Sequence, residues 1–262
     1  MNTKYIFFDV DGTLISHVGK SHIPPETLEA VKLLKLNGHV PIIATGRSYF
    51  LARKAAEEFG IKNLICSDGA EIIFNGEVII KKYIPGEILN KFYELAKKFP
   101  KITAMTDGKY LYTNGVFDNA EEYFNAQAGY NCFKKFEQAD KKNILVCYLF
   151  VKPELFNESH GIFYDPPKNI KLDFAKDFAE IRNLNTSKWL GICELIKIFN
   201  ADPNNIITFG DGFNDIEMLK NSNIGVAVEK SPESVKQVAD YVTGDIDSGG
   251  ILEACKKFKL VW

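Results

Sequence analysis

The chain has 262 residues, a length that suits one large domain or two smaller ones. Its 32 basic and 34 acidic side chains leave a formal net charge of −2, which argues against a nucleic-acid binder that relies on a net basic field. The hydrophobic share of 46% is that of an ordinary globular protein, and no apolar run reaches transmembrane length.

The five cysteines are scattered, and none forms a CxxC pair: they are Cys66, Cys132, Cys147, Cys193 and Cys255. Neither a disulfide framework nor a cysteine metal cluster is therefore predicted, and we interpret them as reduced packing residues. No basic and apolar signal segment opens the sequence. We expect a cytoplasmic protein without a membrane partner, and the sequence carries no signal for an oligomeric state.

The first 82 residues alternate between strand-like and helix-like patterns. In chain order, the predicted elements are a strand at Tyr5–Phe8, a helix that starts at Pro24-Pro25-Glu26 and is stopped by Gly38, a strand at Val40–Ala44, a helix at Tyr49–Phe59, a strand at Leu64–Cys66 and a hairpin within Glu71–Tyr83. The hairpin turn is placed at Asn75-Gly76, which lies between two apolar runs. Continuous apolar strands that alternate with helices indicate a parallel sheet covered on both faces.

From about Pro85 the pattern becomes mixed and rich in hairpins. The predicted elements are an amphipathic helix at Ile88–Phe99, a hairpin around Asp107-Gly108, a helix near Asp118–Gln127, a strand at Ile144–Val151, a helix-poor stretch around Pro166-Pro167, and strands at LDFA and AEIRN. This block is typical of an inserted α+β domain.

From Ser187 the alternation of helix and strand returns. The predicted elements are helices at Trp189–Phe199, Asn214–Leu219, Pro232–Ala239 and Gly250–Phe258, with strands at Ile206–Phe209 and Ile224–Val228. The simplest account is a discontinuous α/β core, residues 1–83 and 186–262, interrupted by one inserted domain at residues 84–185.

Polar side chains follow several predicted core strands, at the sheet edge where ligands bind in open α/β folds. Asp9-Val10-Asp11-Gly12-Thr13 follows the first strand, Thr45-Gly46-Arg47 the second, and Gly210-Asp211-Gly212-Phe213-Asn214-Asp215 the strand at Ile206; Lys188 opens a helix shortly before. Each segment alone has an ordinary explanation as a turn, a helix cap or a surface charge. Their occurrence in this order, each at the expected end of its element, favours one shared site.

Chemistry explains why these residue types would be brought together. Carboxylate and carbonyl oxygens suit Mg²⁺, which is usually bound through one or two carboxylates and a substrate phosphate. Lys188, Thr45 and Asn214 could neutralise or hydrogen-bond a phosphoryl group. Asp9 and Asp11 lie two positions apart, on one face of an extended chain, so one could attack phosphorus while the other exchanges a proton with the leaving oxygen.

The segments DVDGTL, ATGR, SKWLG and GDGFNDIEML resemble the four motifs of the haloacid dehalogenase superfamily. The inserted domain and the trailing GVAV, SPESVKQVADYVT and SGGI further resemble the Cof-type phosphatases, which carry a subtype-IIB cap. The resemblance implies a Rossmann-like parallel-sheet core. It also implies a cap that closes over the site and selects the substrate.

The resemblance also implies a role for each matching position. Asp9 matches the nucleophile and Asp11 the general acid/base. The implied Mg²⁺ ligands are Asp9, the backbone carbonyl of Asp11, Asp211 and, through water or from the second layer, Asp215. The implied phosphate contacts are Val10, Thr45, Gly46, Lys188 and Asn214. Thr13 is interpreted as a turn hydroxyl.

The sequence departs from the family pattern at a few positions. Asp68 stands where the family usually has asparagine, Glu229 and Lys230 replace a small loop, and Trp189 replaces a small residue. These departures bear on the substrate and on loop shape, and they leave the four chemical segments intact.

The expected partner is a small phosphorylated metabolite, in the first place a sugar phosphate, with no nucleic acid involved. Two alternatives stay open at this point. One is a mutase that moves phosphate within a sugar on the same scaffold. The other is a non-catalytic regulatory protein that binds Mg²⁺ or phosphate.

Overall fold

The computed structural model describes residues 2–98, 103–113, 115, 120–150, 170–174 and 179–262. These residues form two compact units, one of residues 1–46, 55–79 and 187–262, and a second of residues 47–54 and 80–186. The division passes through the helix at Tyr49–Phe59. None of the helices in the described ranges is long and apolar enough to cross a membrane.

The first unit is built on a sheet of eight strands among the described residues. These strands are β1 Tyr5–Phe8, β2 Val40–Ala44, β3 Leu64–Cys66, β4 Glu71–Phe74, β5 Glu77–Lys81, β12 Ile206–Gly210, β13 Ile224–Ala227 and β14 Tyr241–Val242. Their order is β14-β13-β12-β1-β2-β3-β4-β5, and all neighbours from β14 to β3 run parallel. This confirms the predicted Rossmann-like parallel sheet.

Strand β1 lies at the centre of this sheet because its apolar residues can be buried on both faces. Ile6, Phe7 and Phe8 are fully buried, and the Phe8 ring stacks on Phe209 of β12 at 4.8 Å between centroids. The register pairs Phe8 with Phe209 and with Ile43 of β2. A strand held from both sides in this way fixes the position of the residue that follows it.

Helices separate the strands of this eight-stranded sheet along the chain. They are α1 Pro25–Leu36, α2 Tyr49–Phe59, α5 Lys188–Phe199, α6 Ile216–Asn221, α7 Glu233–Lys236 and α8 Gly250–Lys257. Helix α1 begins at the predicted proline and turns its buried face, Ala30, Val31 and Leu34, toward the core. Asn75 and Gly76 both have positive φ, as a type I′ hairpin turn requires, and join β4 to β5 as predicted.

The second unit contains a sheet of six strands among its described residues. They are β6 Thr103–Thr106, β7 Leu111–Thr113, β8 Phe133–Lys135, β9 Val146–Leu149, β10 Ile170–Phe174 and β11 Ala179–Asn183, in the order β10-β11-β9-β6-β7-β8. Helices α3 Gly86–Lys98 and α4 Ala120–Ala128 belong to this unit. Ile88, Leu89 and Phe92 of α3 pack in a buried cluster with Met105 of β6. The mixed α+β character was predicted from the hairpin signals.

Several predicted boundaries differ from the structure. Strands β8 and β14 were not predicted, because three and two residues are too few to show a period. The predicted helix at Pro232–Ala239 forms only over Glu233–Lys236, and that at Asn214–Leu219 begins two residues later, after a 3-10 turn at Phe213–Asp215. The helix-poor stretch around Pro166-Pro167 lies outside the described residues.

Candidate active site

The polar residues predicted from three of the motifs lie at the carboxyl edge of the first unit's sheet. Asp9 follows β1, Thr45 follows β2 and Asp211 follows β12, and these three strands are neighbours. The N–H of Asp9 still donates to the carbonyl of Phe209, at 2.9 Å, so the strand geometry continues into the motif. The parallel sheet therefore brings together residues that are far apart in sequence.

A buried lysine joins two carboxylates at the centre of the site. Lys188 Nζ donates to Asp9 Oδ1 and to Asp215 Oδ1, both at 2.6 Å. The exposed fractions of Asp9, Lys188 and Asp215 are 6%, 1% and 0%, so little water screens these contacts. Ser187 caps helix α5 by accepting the N–H of Leu190 at 3.1 Å, which holds Lys188 at the first turn of that helix.

The second carboxylate after β12, Asp215, organises the loop that carries Asp211. Asp215 Oδ2 accepts the backbone N–H groups of Asp211, at 2.9 Å, and of Gly212, at 2.8 Å. A Cβ at Gly210 would lie 2.7 Å from Asp215 Oδ2, so glycine is needed there for the carboxylate to turn back on its own loop.

Asp211 is held from the other side by the first motif. The hydroxyl of Thr13 donates to Asp211 Oδ1 at 2.8 Å, so Thr13 is more than the turn hydroxyl we predicted. Gly12 has φ +87°, and a Cβ added there would clash with the Asp211 carboxylate. The glycine after Asp11 thus allows the first and last motifs to approach each other.

Three carboxylates converge near Lys188. Asp9, Asp211 and Asp215 each offer an oxygen, and these oxygens lie within 4.8 Å of one another. Burial raises the pKa of Asp9 well above its usual value; Lys188 lowers it, and Asp215, Asp211 and Asp11 raise it further. Burial raises the pKa of Asp211 to about 6. The Thr13 hydrogen bond and Lys188 lower this pKa, whereas Asp215 and Asp11 raise it.

The cluster is more acidic than its own lysine can neutralise. Burial alone would lower the pKa of Lys188, but Asp215 and Asp9 raise it well above its usual range, so the ammonium stays charged. One ammonium beside three carboxylates leaves too little positive charge, so burial, reinforced by the neighbouring acids, makes Asp9 and Asp211 hard to ionise. Oxygen donors with an unbalanced negative charge suit a hard divalent cation such as Mg²⁺.

The predicted phosphate contacts lie beside this cluster in the same unit. Thr45 is buried; its N–H donates to the carbonyl of Ile65 at 2.8 Å, and its own carbonyl accepts from Asp68 N–H at 3.0 Å. Asn214 Nδ2 donates to Asp68 Oδ1 at 3.0 Å, a pairing that sequence reasoning did not predict. A Cβ at Gly46 would lie 3.4 Å from Asp68 Oδ2 and 3.7 Å from Asn214 Nδ2, so Gly46 adjoins both.

Asp11 lies at the exposed side of the site. Its side chain is 42% exposed, and Oδ1 is 2.8 Å from Nε2 of His17. The side chain of the intervening Val10 is buried, and its carbonyl accepts the N–H groups of Leu14, at 3.0 Å, and Ile15, at 2.8 Å. His17 was not predicted, and no motif spacing would have indicated it.

Comparisons with known proteins identify the family of the chain. A family model described as haloacid dehalogenase-like hydrolase matches residues 6–255. The chain belongs to this family. The match covers nearly the whole chain, and it confirms the resemblance predicted from the four motifs.

Relatives of this haloacid dehalogenase-like hydrolase include two proteins of Bacillus subtilis. YkrA, provisionally named a phosphatase, is 28% identical over 282 residues, which covers 100% of both chains. YcsE, a 5-amino-6-(5-phospho-D-ribitylamino)uracil phosphatase, is 25% identical over 263 residues, which covers 99% of this chain and 97% of the relative. A solved structure, the subclass IIB sugar phosphatase BT4131, is 30% identical with a TM-score of 0.83 and covers 99% of this chain and 100% of its own. The hydrolase is thus a phosphoric monoester hydrolase, as predicted.

Proposed function

We propose that the protein is a Mg²⁺-dependent phosphatase that hydrolyses small phosphorylated metabolites, in the first place sugar phosphates, through an aspartyl-phosphate intermediate. The observation that carries the proposal is the cluster of Asp9, Asp211 and Asp215 around the buried ammonium of Lys188. The substrate class is supported by the sugar phosphatase BT4131 and by YcsE, whose substrate carries a phosphoribityl group.

Asp9 is the proposed nucleophile. Its carboxylate oxygen attacks phosphorus, the bond from phosphorus to the ester oxygen breaks, and the phosphoryl group is transferred to Asp9. Lys188, which contacts Asp9 Oδ1, holds the carboxylate in place and contributes positive charge beside the transferred group. Thr45 and Asn214 are the proposed hydrogen-bond donors that orient the phosphoryl oxygens.

Asp11 is the proposed general acid and base. Its proton goes to the departing alkoxide, and the resulting carboxylate then takes a proton from the water that attacks phosphorus and regenerates Asp9. The partial exposure of Asp11 agrees with a group that must exchange protons with leaving groups and water. The exchange is balanced, because the proton lost to the alcohol is regained from water.

Asp9, the backbone carbonyl of Asp11 and Asp211 are the proposed Mg²⁺ ligands, and Asp215 supports them by fixing the loop of Asp211. A bound Mg²⁺ would supply positive charge that offsets the repulsion between these acids and the phosphate. These residues suit Mg²⁺ because three carboxylates surround a single ammonium group.

The decisive experiment is a panel of phosphate esters assayed with Mg²⁺ and with a chelator. We expect free inorganic phosphate from at least one class of phosphorylated sugar or sugar alcohol, and loss of turnover when Mg²⁺ is removed. An isomerised sugar phosphate formed without free phosphate would instead support a mutase. A lack of Mg²⁺-dependent turnover across the panel would contradict the proposal.

A further inference from the structure

Asp68 lies in the loop after β3, among the residues proposed to bind phosphate. Only 4% of its surface is exposed. Its N–H donates to the carbonyl of Thr45, and its Oδ1 accepts from Asn214 Nδ2, both at 3.0 Å. The backbone of Asp68 therefore contacts Thr45 and its side chain contacts Asn214, and both of these residues are proposed to bind phosphate.

The loop that carries Asp68 has an unusual backbone. Ser67 and Asp68 have φ values of 49° and 47°, and Gly69 follows at 91°. A Cβ at Gly69 would clash with the carbonyl oxygen of Ser187, so the loop packs directly against the start of α5. Two successive non-glycine residues in the left-handed region are rare, and such strain persists only where the surroundings impose it.

The Asp68 carboxylate contacts the Asn214 amide, which is proposed to bind a phosphoryl oxygen. The Asn214 amide has two N–H groups, and one is used by Asp68. A phosphoryl oxygen that accepts the other would lie about 5 Å from the carboxylate oxygen, given ordinary hydrogen-bond lengths. Asp68 also acts on Lys188: burial lowers the pKa of that lysine, and Asp215, Asp9 and then Asp68 raise it.

We propose that Asp68 is a specificity-determining residue of the phosphate subsite: it fixes the orientation of the Asn214 amide and weakens phosphate binding through its negative charge. A carboxylate only accepts, so Asn214 must present its NH₂ group to Asp68. Like charges about 5 Å apart repel strongly at the effective dielectric constant of a partly buried site. The inference rests on the proposed function, because it needs phosphate to bind beside Thr45, Lys188 and Asn214.

The test is competitive inhibition by inorganic phosphate of the Mg²⁺-dependent hydrolysis of 4-nitrophenyl phosphate. Asp68→Asn keeps the size and an acceptor oxygen, suits the left-handed backbone, and removes the charge. We expect its inhibition constant for phosphate to fall about tenfold relative to the parent protein. Damage to the loop would raise that constant, so the expected direction separates an electrostatic role from a merely structural one.

Glu77→Gln is the matched control, because it removes one negative charge from an exposed position on β5 of the same unit. Its inhibition constant should equal that of the parent. Asp68→Gly is the second variant if Asp68→Asn does not fold, since glycine also tolerates the backbone and lacks the charge. An equal or higher inhibition constant in the folded variant would overturn the inference.

A second readout does not depend on turnover. Inorganic phosphate should raise the thermal unfolding midpoint of Asp68→Asn more than that of the parent at the same Mg²⁺ concentration. The reason is that a ligand stabilises the folded protein more when it binds more tightly. If the parent shows neither Mg²⁺-dependent turnover nor inhibition by phosphate, the proposed function fails. If the parent shows both and the position-68 variants bind phosphate no more tightly, only the role of Asp68 fails.

Discussion

Lys188 is the residue on which the buried charges of the site depend. Its Nζ lies 2.6 Å from both Asp9 and Asp215, and all three side chains are buried. Burying these three charged groups costs free energy. Removing the Lys188 ammonium would cost far more, because the two carboxylates would then face each other with little solvent. One side chain thus serves stability and, in our proposal, phosphoryl transfer.

Replacement of Lys188 by methionine should lower the free energy of unfolding by about 3–5 kcal/mol, the usual cost of breaking a buried ion pair. Urea denaturation in the presence of a chelator measures this loss. Lys230→Met is the control, because Lys230 lies equally close to Asp245, at 2.6 Å, but is exposed, so no measurable change is expected. A comparable loss in the two variants would contradict the dependence on burial.

Asp9→Asn tests the proposed nucleophile. We expect turnover to fall on the order of 10³-fold or more, because an amide cannot form the phosphoryl intermediate. The thermal midpoint should not fall, since the amide removes an acid whose pKa burial has raised, and Lys188 keeps its contact with Asp215. Mass spectrometry of acid-quenched mixtures should detect a phosphoryl adduct on the parent only. Turnover near that of the parent would exclude Asp9 as nucleophile.

Asp11→Asn separately tests the proposed role of Asp11 as proton donor. A general acid contributes about 10²–10⁴-fold, and most of that is needed when the leaving group is a poor one. We expect a large loss of turnover on a sugar phosphate and a smaller loss on 4-nitrophenyl phosphate, whose leaving group needs no proton. Equal losses on the two esters would argue against an acid role.

At the scale of elements, helix α5 positions the lysine. Its N-cap, Ser187, accepts from the Leu190 N–H, and Lys188 is the next residue. Loss of the cap frees the first turn, so we expect both a lower free energy of unfolding and a Lys188 ammonium group that is less firmly positioned.

Ser187→Ala should lower the free energy of unfolding by about 1 kcal/mol and reduce turnover several-fold, because the first turn of α5 no longer fixes Lys188. Ser187→Thr keeps a capping hydroxyl and should retain more of both properties. Chemical denaturation and steady-state kinetics of the two variants give the comparison. A loss of stability without any change in turnover would show that the cap does not serve the lysine.

The elements that hold the site were predictable because each carries its signal locally. Strand β1 is a continuous apolar run, and the carboxyl-edge rule then brings Asp9, Thr45 and Asp211 together without further information. The Asp68–Asn214 pair was not predictable, because it joins residues 146 positions apart through side chains. The same holds for Thr13 and Asp211, whose contact depends on the left-handed turn at Gly12.

At the scale of the whole molecule, the acidic cluster couples stability to pH. Burial raises the pKa of Asp211 to about 6, although the Thr13 hydrogen bond lowers it, and burial also raises the pKa of Asp9. The folded protein without a cation therefore binds more protons than the unfolded chain between about pH 4 and pH 6, and this contribution to stability is lost as the pH rises through that range.

Added Mg²⁺ should reverse that trend, because it binds ionised carboxylates. We expect a larger increase in the thermal midpoint from Mg²⁺ at about pH 7.5 than at about pH 5, where protons compete for the same oxygens. Asp211→Asn should remove most of the difference. A Mg²⁺ effect that does not change with pH would show that these acids do not hold the ion.

The pairing of β1 with β12 has a consequence for how the protein is made. The two strands lie about 200 residues apart, and a ribosome that adds roughly 5–20 residues per second needs about 10–40 s to pass from one to the other. During this interval β1 can pair with β2, but its other edge stays unpaired until β12 is made. An unpaired strand edge promotes aggregation. Asp211 and Asp215 emerge only after β12, so Asp9, the proposed nucleophile, is synthesised well before the other two acids of the cluster. A nascent chain thus cannot assemble the acidic cluster until the segment after β12 has been translated.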